Sequence, residues 1–93
     1  MASTDDFNVM LDRLHKVRNN MGIHKDNKLA MRWVRYGDYR DWSIEGVSAH
    51  LAKEMLELAD AIESDDRGQI KDEVMEVSNI LDMLWDLLSL GAV

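Results

Sequence analysis

The chain predicts an all-α fold, a small antiparallel helical bundle completed by homo-oligomerisation. Three observations carry this. No proline interrupts any of the 93 residues, and proline is the residue that breaks helix interiors. No stretch alternates apolar and polar residues as a half-buried strand does. Apolar residues instead recur at three- and four-residue steps in long runs, the signature of helices with one buried face.

Thr4 is the expected N-cap of a first helix, with Asp5 and Asp6 in its first turn favourable to the helix dipole. Its apolar stripe is Phe7, Met10, Leu11, Leu14, Val17 and Met21, and Asn19, Asn20 and Gly22 are expected to end it. A short helix is expected from about Asp26 to Tyr36, and the segment Gly37 to Trp42 reads as a loop. Ser43 is the expected N-cap of the next helix, which runs to about Glu63 with a seam of Val47, Leu51, Met55, Leu58 and Ile62. Ser64 to Gly68 is a tight link, with Asp66 and Gln69 set for a capping box. The last helix is expected from about Arg67 to Leu90, with Gly91 past its end and a seam of Ile70, Val74, Val77, Leu81, Leu84 and Leu88. So short a link makes the two long helices antiparallel neighbours. Ile80, Met83, Trp85 and Leu87 spread the last helix's apolar surface beyond one seam, which predicts a dimer or higher homo-oligomer.

Length allows a single domain, residues 1–93, with its helical hairpin over about 43–90. There is no cysteine, hence no disulfide framework and no thiolate chemistry. No apolar run reaches membrane-spanning length and the first residues do not resemble a signal peptide, so a soluble cytoplasmic protein is expected. The net charge of −7 is unevenly spread. Residues 1–53 carry 9 Lys/Arg and 7 Asp/Glu, whereas residues 54–93 carry 2 Lys/Arg and 11 Asp/Glu. The acidic half argues against a nucleic-acid polymer as partner. A cation held by that half and an anion met by the basic half would account for both, although undirected drift of surface charge would also do so.

The acidic half contains a doubled motif. Glu54 and Glu57 are three apart, and so are Glu73 and Glu76. Residues three apart share a helix face, so an antiparallel hairpin can bring four carboxylates to one spot. Their sector on the last helix also holds Ile80, Met83 and Leu87, which makes it half apolar. Carboxylates on such a face need compensation, and Lys/Arg is scarce in this half. A hard, oxygen-seeking cation such as Mg²⁺ would supply it. The plain alternative is a set of solvated glutamates.

Leu51-Ala-Lys-Glu-Met-Leu-Glu-Leu-Ala-Asp-Ala-Ile62 followed by Asp72-Glu-Val-Met-Glu-Val-Ser-Asn-Ile-Leu-Asp-Met-Leu84 resembles the all-α nucleoside triphosphate pyrophosphohydrolases of the MazG type. That pattern is Glu-Glu-x-x-Glu, a spacer, then Glu-x-x-Asp. The segment Arg32-Trp-Val-Arg-Tyr-Gly-Asp-Tyr-Arg-Asp-Trp42, the Ser-started helix after it, and Asn79 also resemble small members, so the likeness covers about residues 28–90. Two positions depart: Lys53 stands where the pattern has its first Glu, and Glu76 where it has Asp. The resemblance implies hydrolysis of an NTP or dNTP to the monophosphate and pyrophosphate, with Mg²⁺ or Mn²⁺ held by Glu54, Glu57, Glu73 and Glu76. Phosphoryl chemistry needs positioning and charge neutralisation more than covalent catalysis, which suits such a site.

Among the other polar residues, Lys25, Lys28 and Arg32 are the chosen phosphate contacts, against simple surface solubility. Trp33, Tyr36 and Trp42 can stack on a base or pack in the core, and for Trp33 packing is preferred. Asn79 can bond a base, a phosphate or a ligating carboxylate, and His50, one turn before Glu54, can support the cluster. The leading expectation is therefore a pyrophosphohydrolase working as a homodimer or homotetramer. A non-catalytic helical interaction module, a decayed relative, competes with it on the strength of Lys53 and Glu76. A di-iron carboxylate bundle is disfavoured because no Glu-x-x-His occurs.

Overall fold

The computed structural model describes residues 3–91. Those residues form three α-helices and one short 3-10 turn, with no strand among the described residues. Helix α1 spans Thr4–Tyr36, the 3-10 turn Tyr39–Asp41, α2 Ile44–Ser64 and α3 Arg67–Ser89. No helix among the described residues is long and apolar enough to cross a membrane.

The first two expected helices are one. Asn19, Asn20 and Gly22 lie inside a continuous 33-residue α1. Without proline, such residues cost at most about 1 kcal/mol each against alanine, too little to break a helix anchored at its far end. That anchor is α3, which the second half of α1 meets through Lys25, Lys28 and Arg32. The N-cap is Ser3 rather than Thr4. Its hydroxyl accepts from the Asp6 amide at 3.1 Å, and the Asp6 carboxylate accepts from the Ser3 amide at 3.1 Å. The helix stops at Gly37, whose φ of 77° favours a residue without Cβ. Ser43 caps α2 by accepting from Gly46 at 3.0 Å. Asp65 closes α2 in the left-handed region at φ 58°, and Asp66 caps α3 by accepting from Gln69 at 3.1 Å. The reversal fits into two residues, so α2 and α3 lie antiparallel.

The buried faces differ from the expected seams. On α2, Val47, Glu54 and Ala61 are buried, while Met55 and Ile62 are exposed. On α3, Asn79, Ile80, Met83 and Leu87 are buried, while Val74, Leu81 and Leu88 are exposed. The inward directions are turned by roughly 60° on α2 and roughly 100° on α3 from the seams that apolar counting selects. The reason is that α3 serves two neighbours, α2 and α1. Its interior sector is therefore the half-apolar one that also carries Glu73 and Glu76. Val47, Ile80 and Leu87 form the core, and Tyr39, Trp42, Ile44, Leu51 and Leu84 pack around it.

Candidate functional site

Helical spacing and the antiparallel hairpin bring carboxylates from α2 and α3 together beside the core. Glu54, Glu57 and Glu73 each offer an oxygen such that all three lie within 4.8 Å of one another. Opposite ligands of an octahedral Mg²⁺ shell stand about 4.2 Å apart, so a small adjustment would let the three share a hard cation. The donor set is oxygen only, which suits Mg²⁺ or Mn²⁺. Glu54 is buried, and Glu73 Oε2 is a buried oxygen with no hydrogen-bond partner. Such an oxygen is costly unless something supplies positive charge. The Glu57 carboxyl is pushed above its ordinary range, chiefly by hydrogen-bonding contact with Glu54, then by burial. Like-charged groups this close resist ionising together.

Glu76 lies one turn on and belongs to a different pairing. Arg32 donates to its Oε2 from Nε at 2.7 Å and again from Nη2. Lys28 Nζ stands 3.8 Å from Glu76 and 3.7 Å from Asp72. Arg32 also reaches Glu54 at 3.4 Å and His50 Nε2 at 2.9 Å. An arginine has only donors, so the His50 nitrogen accepts and its ring is neutral in this contact. Burial and then the nearby Arg32 charge hold the His50 pKa below its ordinary value.

The five residues expected to touch substrate fall in different settings. Lys28 and Arg32 line a cleft of about 330 Å³ together with Met31, Arg35, Tyr36 and all four glutamates. Lys25 is turned to Asp82 at 2.5 Å. Asn79 is buried and donates to the Lys25 carbonyl at 3.2 Å, leaving its own Oδ1 without a partner. Trp42 packs against the core and tilts toward His50 at 6.4 Å between ring centroids. It also lines a second, mainly apolar cleft of about 350 Å³ with Trp33, Tyr36, Tyr39 and Arg32. Arg32 and Tyr36 are common to the two clefts.

Arg35, outside the set of phosphate contacts expected from the sequence, joins the cationic wall. Its signal was the spacing of Lys28, Arg32 and Arg35, at four and three residues along one helix face. Tyr39, which donates to Asp86, had no such signal because the pair is 47 residues apart.

The site thus sets carboxylates from the hairpin against cations from α1, with an aromatic cleft alongside. That is a surface able to hold a cation, a polyanion and a flat ring together. Against known proteins, no family model, curated protein or solved structure matches the chain.

Proposed function

We propose that this protein is a metal-dependent nucleoside triphosphate pyrophosphohydrolase of the MazG-like kind, cutting an NTP or dNTP to the monophosphate and pyrophosphate. The observation that carries this reading is the meeting of Glu54, Glu57 and Glu73 from two helices on a cleft walled by Lys28, Arg32 and Arg35. The partnerless Glu73 oxygen adds to it, because a cation would satisfy that atom.

Glu54, Glu57 and Glu73 would hold Mg²⁺ or Mn²⁺, with Glu76 beside them. The ion would neutralise charge on the triphosphate. Lys28 and Arg35 face the same cleft and bind phosphate oxygens. Arg32 exchanges part of its hold on Glu76 and Glu54 for phosphate, as a guanidinium fork favours. Water attacks the α-phosphorus, pyrophosphate departs with the bridging oxygen, and the proton of the water passes to a carboxylate of the cluster. The base enters the aromatic cleft, which Trp33, Tyr36, Tyr39 and Trp42 line. The working form is a cytoplasmic homodimer or homotetramer.

The test is incubation of the purified protein with each common NTP and dNTP, with Mg²⁺ or Mn²⁺, assaying released pyrophosphate. Metal-dependent release that Glu57→Gln abolishes is expected. A folded protein that releases none from any nucleotide would sink the reading. It would favour the second one, a non-catalytic helical interaction module. Arg32 and Lys28 already neutralise Glu76, and this partial self-compensation is what speaks for that alternative.

A further inference from the structure

We infer that Asp86 and Tyr39 select the base: the aromatic cleft takes a nucleotide whose base carries an exocyclic amine, as cytosine and adenine do, over one with a carbonyl in its place. This preference rests on the nucleotide-binding reading above and names which nucleotides that site favours.

Ring faces in the cleft do not discriminate, because every base has a π-face to stack. Selection falls to the polar groups of the same walls. The charged residues there are Arg32, Asp38, Arg40 and Asp86. Arg32 is committed to Glu76, Glu54 and His50. Asp38 and Arg40 are taken up with each other: Arg40 Nε stands 3.1 and 3.0 Å from the two Asp38 oxygens, Nη2 stands 2.6 Å from one of them, and the Arg40 amide donates to Asp38 at 2.9 Å. The rest of the Arg40 side chain is largely exposed, where water competes for its N–H groups.

Asp86 is placed differently. It lines the cleft from α3 together with Met83, three residues before it on the same face. It is half-buried, and its Oδ2 accepts from the Tyr39 hydroxyl across 47 residues. That contact ties the 3-10 turn to α3 and orients the carboxylate. A carboxylate offers about four lone-pair sites, so Oδ1 is left to accept from a ligand. The phenol spends its one hydrogen on Asp86. Hydrogen bonding to that carboxylate, then burial, holds the Tyr39 pKa above its ordinary value, so the hydrogen stays. The pair therefore presents two acceptors, Asp86 Oδ1 and Tyr39 Oη, and has no hydrogen to give.

An exocyclic amine carries two N–H groups and suits both acceptors. A carbonyl in the same place sets its lone pairs against a carboxylate. Cytosine and uracil differ in this way at one ring position, and so do adenine and hypoxanthine. A hydrogen bond to a charged group, made with one base and lost with the other, corresponds to about tenfold in affinity at a half-buried site. Arg32 and Tyr36 border both clefts, so a base held here lies next to the cleft that takes its phosphates.

The test is isothermal titration, in MgCl₂, with the α,β-imido analogues of CTP, UTP, ATP and ITP, whose α–β bridge resists cleavage. The wild type is expected to bind the CTP and ATP analogues about tenfold more tightly than the UTP and ITP analogues. Asp86→Asn keeps an oxygen for Tyr39 and turns an amide NH₂ toward the base, so the preference is expected to vanish or reverse. Asp86→Ala is expected to abolish it, and serves alone should Asp86→Asn fail to fold. Equal or opposite affinities in the wild type, or a preference that the Asp86 variants keep, would overturn the inference and leave the nucleotide reading standing. Binding of none of the four would sink that reading, and the base preference with it.

Discussion

Arg32 and Glu76 are joined by a double donation, Nε and Nη2 of one guanidinium to the single oxygen Oε2. Both side chains are largely shielded from solvent, and the same guanidinium touches Glu54 and His50. Arg32 is thus a cation that the carboxylates already possess, with Lys28 beside it at 3.8 Å from Glu76. It stands on α1, so the charge balance of the hairpin depends on a helix outside it.

Arg32→Gln should cost about 3 kcal/mol of stability in metal-free buffer, because it leaves shielded carboxylates without their charge partner. It should also enlarge the rise in melting midpoint on adding Mg²⁺, since the ion no longer competes with a guanidinium. Thermal melts with and without MgCl₂ check both. An unchanged metal response in the variant would show that Arg32 and the ion do not share the cluster.

Glu57→Gln should act in the opposite direction on the metal-free protein. It relieves the crowding that pushes the Glu57 carboxyl upward beside Glu54. The melting midpoint is expected to rise, while stabilisation by Mg²⁺ falls. A loss of stability without metal would contradict the reading of Glu54 and Glu57 as mutually repelling.

Asn79 offers a contrast between truncation and replacement. Asn79→Ala opens a cavity and removes the bond to the Lys25 carbonyl, at a cost of about 2 kcal/mol. Asn79→Leu fills the volume and removes the partnerless Oδ1 together with the donor. The Lys25 carbonyl keeps its helical acceptor role within α1. Urea unfolding should therefore place Asn79→Leu close to the wild type and well above Asn79→Ala.

His50 predicts a pH dependence. Its pKa is lowered in the folded state from 6.5, first by burial and then by Arg32. The unfolded chain therefore binds a proton that the folded chain resists. Between 6.5 and the lower folded value, the unfolded state carries more protons, so stability falls as pH falls. His50→Gln should remove that part of the slope, measured as urea midpoints across the window. A slope identical in the variant would assign it to other groups.

Much of this was legible in the sequence. Ser43 and Asp66 announce their helices because capping is a local matter between a side chain and an amide three residues on. The pairing of Glu54 and Glu57 with Glu73 follows from spacing and a short link alone. Gly22 misled for the opposite reason: its weak local preference was outweighed by contacts that α1 makes about 50 residues away. The seams misled similarly. Counting apolar residues finds where a helix is most hydrophobic, and that direction on α3 ends at Leu81 and Leu88, which are exposed.

By itself the sequence determined the helical class, the hairpin, the N-caps of α2 and α3 and the presence of a carboxylate cluster, since these depend on local spacing and one short link. Only the tertiary structure decided how that cluster is balanced. Arg32 meets Glu76 across 44 residues and Lys25 meets Asp82 across 57, and no periodicity encodes which distant cation reaches which carboxylate. That choice follows from packing one helix against two, which sets the rotation of α3 and with it the faces of α1 that hold the glutamates.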